Sequence, residues 1–226
     1  MTAVCFSPFK IPRVRITKLN SCGQVVTGSC SQVVSDGIIS IAMTKNYEAR
    51  EEFFIKNGDG KFCVRETTPP ILKWIDLVIT FCNVDPDILN IATGNALYTD
   101  ENSVKIGYST GENAPGTAYF ALEGWTRLSG TGVSCSGGTP YGYTLFPRVI
   151  EATIGDMTIE DGVANFVMNA RTSGNSLWGV GPYNVSNNAI TGTAQAMNTP
   201  ILSDQHHRMF ITYLAPPAAA CGCAAV

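Results

Sequence analysis

Residues 73–94, KWIDLVITFCNVDPDILNIATG, constrain the fold of this chain more than any other segment. In the first half, apolar residues recur at every second position: Ile75, Leu77, Ile79 and Phe81. Successive side chains of a strand point to opposite faces, so this pattern predicts a strand with one fully apolar face. Such a face must pack on a core.

The second half of the same segment predicts a short helix. Asp85 suits the N-cap, because its carboxylate can accept hydrogen bonds from the free amides of the first turn. Pro86 suits the first helical position, and Gly94 supplies a left-handed stop. Between them, four apolar residues form one stripe: Ile88, Leu89, Ile91 and Ala92. We predict a strand-rich body with this one helix packed against it.

The remaining segments favour a single, mainly β domain over residues 1–226. About eight short alternating runs are separated by turn residues, which is typical of a β-sandwich or half-barrel. Residues 1–12 predict an N-terminal arm, and residues 215–226, rich in Ala and Pro, predict a flexible C-terminal tail with no core to join.

The clearest hairpin lies at residues 46–66. It closes at Asn57-Gly58-Asp59-Gly60, and Asn-Gly and Asp-Gly pairs tolerate the positive φ values of tight hairpin turns. Its length and its charged start predict that it projects from the body.

Composition argues for association with protein rather than with nucleic acid or membrane. Only 15% of the residues are charged and the net charge is −3, so the bulk charge does not attract nucleic acid. The many uncharged polar residues suit a surface packed against copies of the same chain. No apolar run reaches the roughly 18 residues that a membrane-spanning helix needs, so we expect no membrane partner.

The residues capable of chemistry do not form a recognisable site. Adjacent His206 and His207 would point to opposite faces of a strand, which makes them a poor pair for one metal. Cys221 and Cys223 could complete a zinc site with one of them, but they lie in the Ala-rich tail. Cys82 precedes Asp85, whose carboxylate opposes thiolate formation. We therefore expect no enzyme activity, cofactor or metal.

The N-terminus lacks the pattern of a secretory signal, and cytosolic thiols stay reduced. We accordingly expect the eight cysteines to remain largely free.

Several segments, taken together and in order, resemble a known family. ITKLNSCG, the hairpin closing at NGDGKFCV, WIDLVITFCNVDPDILNIATG and the end APPAAACGCAAV are similar to major tail proteins of long-tailed phages infecting Actinobacteria. The similarity covers most of the chain and is strongest over residues 13–94; residues 95–205 match only in their strand-and-loop character.

The resemblance implies a tail tube subunit, whose copies form hexameric rings around a lumen and stack into a tube that passes DNA without specific binding. It implies location in the virion tail after assembly in the host cytoplasm. The implied partners are the chain itself and the tail tip, tail terminator and tape measure proteins.

The resemblance also places the hairpin at residues 46–66 against the adjacent ring. The candidates for contacts between rings are charged residues of the hairpin and of the first strand: Glu48, Glu51, Glu52, Asp59, Arg13, Arg15 and Lys18.

A channel for DNA should be poor in Lys and Arg, because these bind phosphate strongly. The candidates for the lumen wall are small or neutral residues of two predicted strands: Ser40, Ala42, Thr44, Asn165 and Asn169. Arg171, on the same strand as Asn165 and Asn169, departs from this expectation.

Two alternatives remain open at this point. The chain could be a different self-assembling β protein, such as a secretion-tube ring or a capsid decoration protein. It could also be a Cys/His metalloprotein or hydrolase.

Overall fold

The computed structural model describes residues 10–111, 118–128, 139–157, 165–188 and 192–226. Within them the protein is mainly β, with one α-helix, α1 (Pro86–Thr93), and a single 3-10 turn at Ser176–Trp178. The strands are β1 (Arg13–Leu19), β2 (Gln32–Ser35), β3 (Ile38–Tyr47), β4 (Glu52–Lys56), β5 (Phe62–Thr67), β6 (Leu72–Phe81), β7 (Ala96–Thr99), β8 (Lys105–Ser109), β9 (Tyr119–Arg127), β10 (Tyr141–Ile154), β11 (Phe166–Thr172), β12 (Ser186–Asn187), β13 (Ala194–Gln195) and β14 (Arg208–Thr212).

One large antiparallel sheet forms the body, in the order β2-β1-β9-β10-β11-β6-β3. The long strand β10 has two partners on one side: β14 pairs with residues 141–145 and β11 with residues 149–154. The sheet does not close, and β3 lies at one end of it. The predicted sandwich-like, mainly β fold with one helix is confirmed.

The main core contains the predicted face of β6. Ile75, Leu77, Ile79 and Phe81 are all buried, and they cluster with β1, β9 and β10. The helix adds its apolar stripe to the same cluster. Its predicted ends are also confirmed, since Asp85 accepts a hydrogen bond from the Asp87 amide at 2.9 Å and Gly94 adopts φ 77°.

A second apolar cluster lies on the opposite face of β1, β9 and β10. It includes Trp125 and Tyr143 from the sheet, covered by Trp178, Met197 and Ile201. The covering residues belong to the Gly-, Asn- and Thr-rich stretch 173–205. The described part of that stretch contains little regular structure, yet it covers these apolar side chains of β1, β9 and β10.

Outside the large sheet, β7 and β8 form a hairpin, with Asp100 Oδ1 accepting from two amides of its turn. The C-terminal tail was expected to be flexible, with no core to join; instead Cys223 packs against the main core, and Ala224 forms a β-bridge with Gln32, the first residue of β2. Of the predicted N-terminal arm, residues 1–9 lie outside the described residues.

Candidate functional site

The hairpin β4–β5 forms a two-stranded sheet of its own, and every residue of both strands is exposed. Its turn is fixed by Asn57, whose amide donates to the Lys61 carbonyl at 2.8 Å and whose side chain accepts from two further amides. At the base, the Glu48 amide donates to the Ile71 carbonyl at 2.7 Å. Neither strand pairs with the large sheet, as we expect of a segment that projects from the body, and we call β4–β5 the projecting hairpin.

The projecting hairpin carries apolar side chains on both of its faces. The exposed fractions are 57% for Phe53, 45% for Phe54, 59% for Ile55, 54% for Phe62 and 43% for Val64. Phe53 and Phe54 are consecutive, so they point to opposite sides of the ribbon. Large contiguous apolar patches are rare on monomeric soluble proteins and mark interaction sites. Within the described residues, these five side chains of the ribbon stay exposed.

The candidate acids of the hairpin are exposed and only weakly engaged. Glu48 lies 3.7 Å from Lys73, and Glu52 lies 4.0 Å from Arg50. Exposed pairs of this kind contribute about 0–1 kcal/mol. Glu51 and Asp59 are exposed as well. All four carboxylates are therefore accessible to another molecule.

The candidates on β1 divide into accessible and inaccessible residues. Lys18 is exposed, and Arg13 is partly exposed with its guanidinium 3.5 Å from Asp36. Arg15 is only 6% exposed and cannot reach another ring. Its candidacy as a contact between rings is wrong, because its charge is used inside the subunit.

Arg15 makes a bidentate ion pair with Glu123, a fully buried residue of β9. Both nitrogen–oxygen distances are 2.6 Å, and the Tyr143 hydroxyl donates to the same carboxylate at 2.6 Å. The guanidinium also lies over the Tyr183 ring, 3.2 Å from its centroid. We call Arg15, Glu123, Tyr143 and Tyr183 the Arg15 network.

The environment of the Arg15 network explains its proton affinities. Burial lowers the pKa of Arg15, but the charge and hydrogen bonds of Glu123 outweigh it, so the net direction is upward. Burial raises the pKa of Tyr143 well above its usual value, and the neighbouring Glu123 raises it further. Arg15 thus stays charged and Tyr143 stays a donor. Sequence reasoning missed Glu123, although a lone acid inside the apolar run TAYFALEGW is a signal for a buried pair.

Four of the five candidates for the lumen wall share one face of the sheet. Ser40, Ala42 and Thr44 of β3 pair with Thr80, Val78 and Asp76 of β6, and Val78 pairs in turn with Asn169 of β11. Cross-strand partners lie on the same face of a sheet. Asn165, the fifth candidate, is exposed just before β11.

We call the exposed residues Ser40, Ala42, Thr44, Val78 and Asn169 the open sheet face. It is opposite the face that carries Leu77 and Ile79 into the core.

Arg171 lies at one end of the open sheet face, but its charge is compensated. Its guanidinium lies 3.3 Å from Asp76 and 3.1 Å from Glu151, over the Trp74 ring. One cation between two carboxylates does not create a positive patch. Arg171 therefore departs less from the expected lack of positive charge on this face than its residue type indicates.

The two histidines bind different strands. His206 Nδ1 lies 3.0 Å from the Thr172 hydroxyl of β11, whereas His207 Nε2 lies 2.7 Å from the Thr144 hydroxyl of β10 and its ring stacks on Phe146. Both imidazoles therefore hold the segment before β14 against the large sheet.

Among the cysteines, the structure forms a disulfide between Cys30 and Cys223. The expectation of free thiols is wrong for this pair, while Cys22, Cys63, Cys82 and Cys221 are free and exposed. Cys5 and Cys135 lie outside the described residues. Cys223 thus pairs with Cys30, not with a histidine as the zinc hypothesis required.

In the part of the chain that the structure describes, no helix is long and apolar enough to cross a membrane. Comparison with protein-family models gives no match, and comparison with curated proteins gives no significant match.

Proposed function

We propose that this chain is a structural virion protein, the major tail tube subunit of a long-tailed phage. In this proposal its copies form hexameric rings, and the rings stack around a lumen through which DNA passes without specific binding. The subunit is assembled in the host cytoplasm and resides in the virion tail. It contacts other copies of itself and the tail tip, tail terminator and tape measure proteins.

The observation that carries the proposal is the projecting hairpin. Burying an aromatic or aliphatic side chain from water stabilises a protein by about 1.5–3 kcal/mol. This ribbon leaves five such side chains uncovered on both of its faces. A copy of the same chain is the partner that the sequence resemblance implies, and repeated head-to-tail contacts extend an assembly without limit unless they close into a ring.

The open sheet face supports the part of the proposal that concerns the passage of DNA without specific binding. Lys and Arg that neutralise phosphates give strong, salt-dependent binding to DNA. Ser40, Ala42, Thr44 and Asn169 offer no positive charge, and Arg171 is held between two carboxylates. A wall of this composition lets DNA slide past.

Negative-stain electron microscopy of the purified chain at high concentration tests the proposal. We expect stacked rings with a central hole, either from the chain alone or after purified tail tips are added as initiators. Dispersed monomers in the presence of tail tips would refute the tail tube function. Single rings that never stack would favour the other self-assembling β proteins, the secretion-tube ring or the capsid decoration protein.

A further inference from the structure

The last eight residues of the sequence, 219–226, lie along the outer edge of β2, where Ala224 forms an isolated β-bridge with Gln32. We call them the C-terminal segment. The Ala224 carbonyl accepts from the amides of Ser31 and Gln32 at 2.9 and 3.0 Å, and the Ala224 amide donates back to Gln32 at 2.8 Å. The Val226 amide donates to the Ser31 hydroxyl at 2.9 Å. A sheet edge that is otherwise open for pairing is thus covered by the chain's own end.

The same segment is attached to the first turn of the helix α1. The Cys223 amide donates to Asp87 Oδ2 at 3.1 Å, and the Gly222 amide donates to the Asp85 carboxylate. These contacts are few and polar, with small side chains around them. Segments with little buried apolar area open at low free-energy cost, so hydrogen bonds alone hold this one weakly.

The covalent part of the attachment is the disulfide between Cys30 and Cys223, which are 193 residues apart. Cys30 adopts φ 58°, a left-handed conformation that residues with a side chain rarely take. The disulfide can be reached by reagents from the side of Cys223. Cys223 lines a cavity of about 680 Å³, together with Asp85, Asp87 and Lys105.

A cation lies beside both sulfurs. The Lys105 ammonium is 3.0 Å from Cys223 Sγ and 3.3 Å from Cys30 Sγ, and it is anchored by Asp87 Oδ1 at 2.6 Å. A lysine next to a thiol favours the thiolate, which is the form that attacks disulfides, whereas a carboxylate opposes it. Asp87 Oδ1 lies 3.5 Å from Cys30 Sγ, so the cation favours the thiolate of Cys223 more than that of Cys30. The arrangement therefore supplies two thiols, a cation beside both and a cavity at Cys223 for the exchange partner.

We propose that Cys30 and Cys223 form a reversible redox lock, which holds the C-terminal segment on the β2 edge and which Lys105 promotes. One protein thiolate attacks a small-molecule disulfide, forms a mixed disulfide and expels a small thiolate. The other protein thiolate then displaces the second small thiolate. Two electrons pass from the protein sulfurs to the small disulfide, and the two thiol protons end on the two small thiols. A dithiol reverses the reaction and frees the segment.

This lock is independent of the tail tube proposal, because it concerns one subunit and its own chain end. Locking closes the β2 edge. Unlocking leaves the segment on its hydrogen bonds alone, so the segment detaches more often and exposes the edge to solvent.

Alkylation of the folded protein without reductant, followed by peptide mapping, tests the bond itself. We expect a cross-linked peptide pair containing Cys30 and Cys223 after treatment with a small disulfide, with Cys22 and Cys221 labelled. After treatment with a dithiol, Cys22, Cys30, Cys221 and Cys223 should all be labelled. Labelling of Cys30 and Cys223 under both conditions would overturn the proposal.

Hydrogen exchange tests the control of the edge, with Cys221→Ser as the matched control two residues away. In Cys223→Ser we expect the amides of Ser31, Gln32 and Ala224 to exchange about tenfold faster than in the oxidised wild type, and reduced wild type to match the variant. Cys221→Ser should exchange like the wild type. Equal protection in Cys223→Ser and Cys221→Ser would refute the lock.

The role of Lys105 has a kinetic readout. Lys105→Met should slow cross-link formation by a small disulfide about tenfold, and Lys105→Arg should restore most of the rate, since both cations favour the thiolate. Unchanged kinetics in Lys105→Met would remove Lys105 from the proposal.

A metal ion is the competing occupant of this cluster. One ligand atom from each of Cys30, Asp87 and Cys223 lies within 4.8 Å of the others. Native mass spectrometry of the reduced chain after exposure to zinc distinguishes the redox lock from a metal site. We expect no retained zinc, because the Lys105 ammonium already occupies this position. One zinc per chain that is lost in Cys30→Ser would overturn the lock in favour of a metal site.

Discussion

Two regions of this molecule use charged and aromatic residues in opposite ways. In the layer of β1, β9 and β10, the two charges of the Arg15 network, Arg15 and Glu123, are buried and are each other's partners. In the projecting hairpin, charges and aromatic rings are exposed, and their ion pairs are long. The first region stabilises the subunit. The second contributes little to the subunit's own stability and is available to a partner.

The largest effect should follow from removing the buried acid. Glu123→Ala leaves the Arg15 guanidinium buried without its counter-charge, and breaking a buried pair in this way costs about 3–5 kcal/mol. Urea denaturation of the monomer measures the loss. Glu52→Ala, an acid exposed in the hairpin, is the matched control and should change the unfolding free energy by less than about 0.5 kcal/mol. Similar losses of unfolding free energy in the two variants would contradict the difference between the buried Arg15 network and the exposed hairpin.

A smaller loss should follow from Tyr143→Phe, which keeps the ring and removes the hydroxyl. The Glu123 carboxylate then loses one hydrogen bond at 2.6 Å. Hydrogen bonds to charged groups contribute about 1.5–3 kcal/mol, which sets the expected loss in the same denaturation experiment. Tyr98→Phe, at an exposed ring, serves as control. Equal unfolding free energies of the two variants would show that the Tyr143 hydroxyl does not donate to Glu123 as described.

Acid should weaken the body through the two histidines. Burial lowers the pKa of His206, and burial and then Lys45 lower the pKa of His207, below the unfolded value of 6.5. The unfolded chain therefore binds more protons as the pH falls, so stability present above pH 6.5 is lost below it.

Denaturation at pH 7.5 and 5.5 measures this loss. The drop between these values should be smaller in His207→Gln than in the wild type, because Gln can bond Thr144 but does not titrate over this range. An equal drop in both proteins would remove His207 from the explanation.

The smallest effect on stability should come from the hairpin acids. Replacing Glu48, Glu51 and Glu52 with Ala should leave the unfolding free energy within about 0.5 kcal/mol of the wild type, because these side chains are exposed. The same variant should nevertheless impair ring stacking, which electron microscopy measures. Normal tubes from this variant would contradict the assigned contacts between rings.

Local patterns predicted much of this fold, since the forces behind them act over a few residues. The β6 alternation, the Asp85 cap, the Gly94 stop and the hairpin turn at Asn57 all depend on neighbours in sequence. The same alternation placed Ser40, Ala42 and Thr44 on one face of β3, whereas the pairing that puts Val78 of β6 beside them was not predicted.

Long-range contacts were not predictable in this way. Arg15 alternates with apolar residues, and alternation normally puts such a residue in water. Here both faces of β1 are covered, one by the main core and the other by the irregular stretch 173–205. The docking of the C-terminal segment depends on a partner 193 residues away at Cys30, for which an Ala-rich sequence has no local signal.

Sedimentation velocity of the wild type beside a double variant, Phe53→Ser with Phe62→Ser, tests the central claim most directly. Both rings are exposed in the subunit, so the variant should unfold at the same urea concentration as the wild type. With purified tail tips present as initiators, we expect the wild type to sediment as large assemblies at high concentration and the variant as a folded species no larger than a single ring. Assemblies of the same size from both proteins would contradict the account, because the hairpin would then not be the surface through which copies associate.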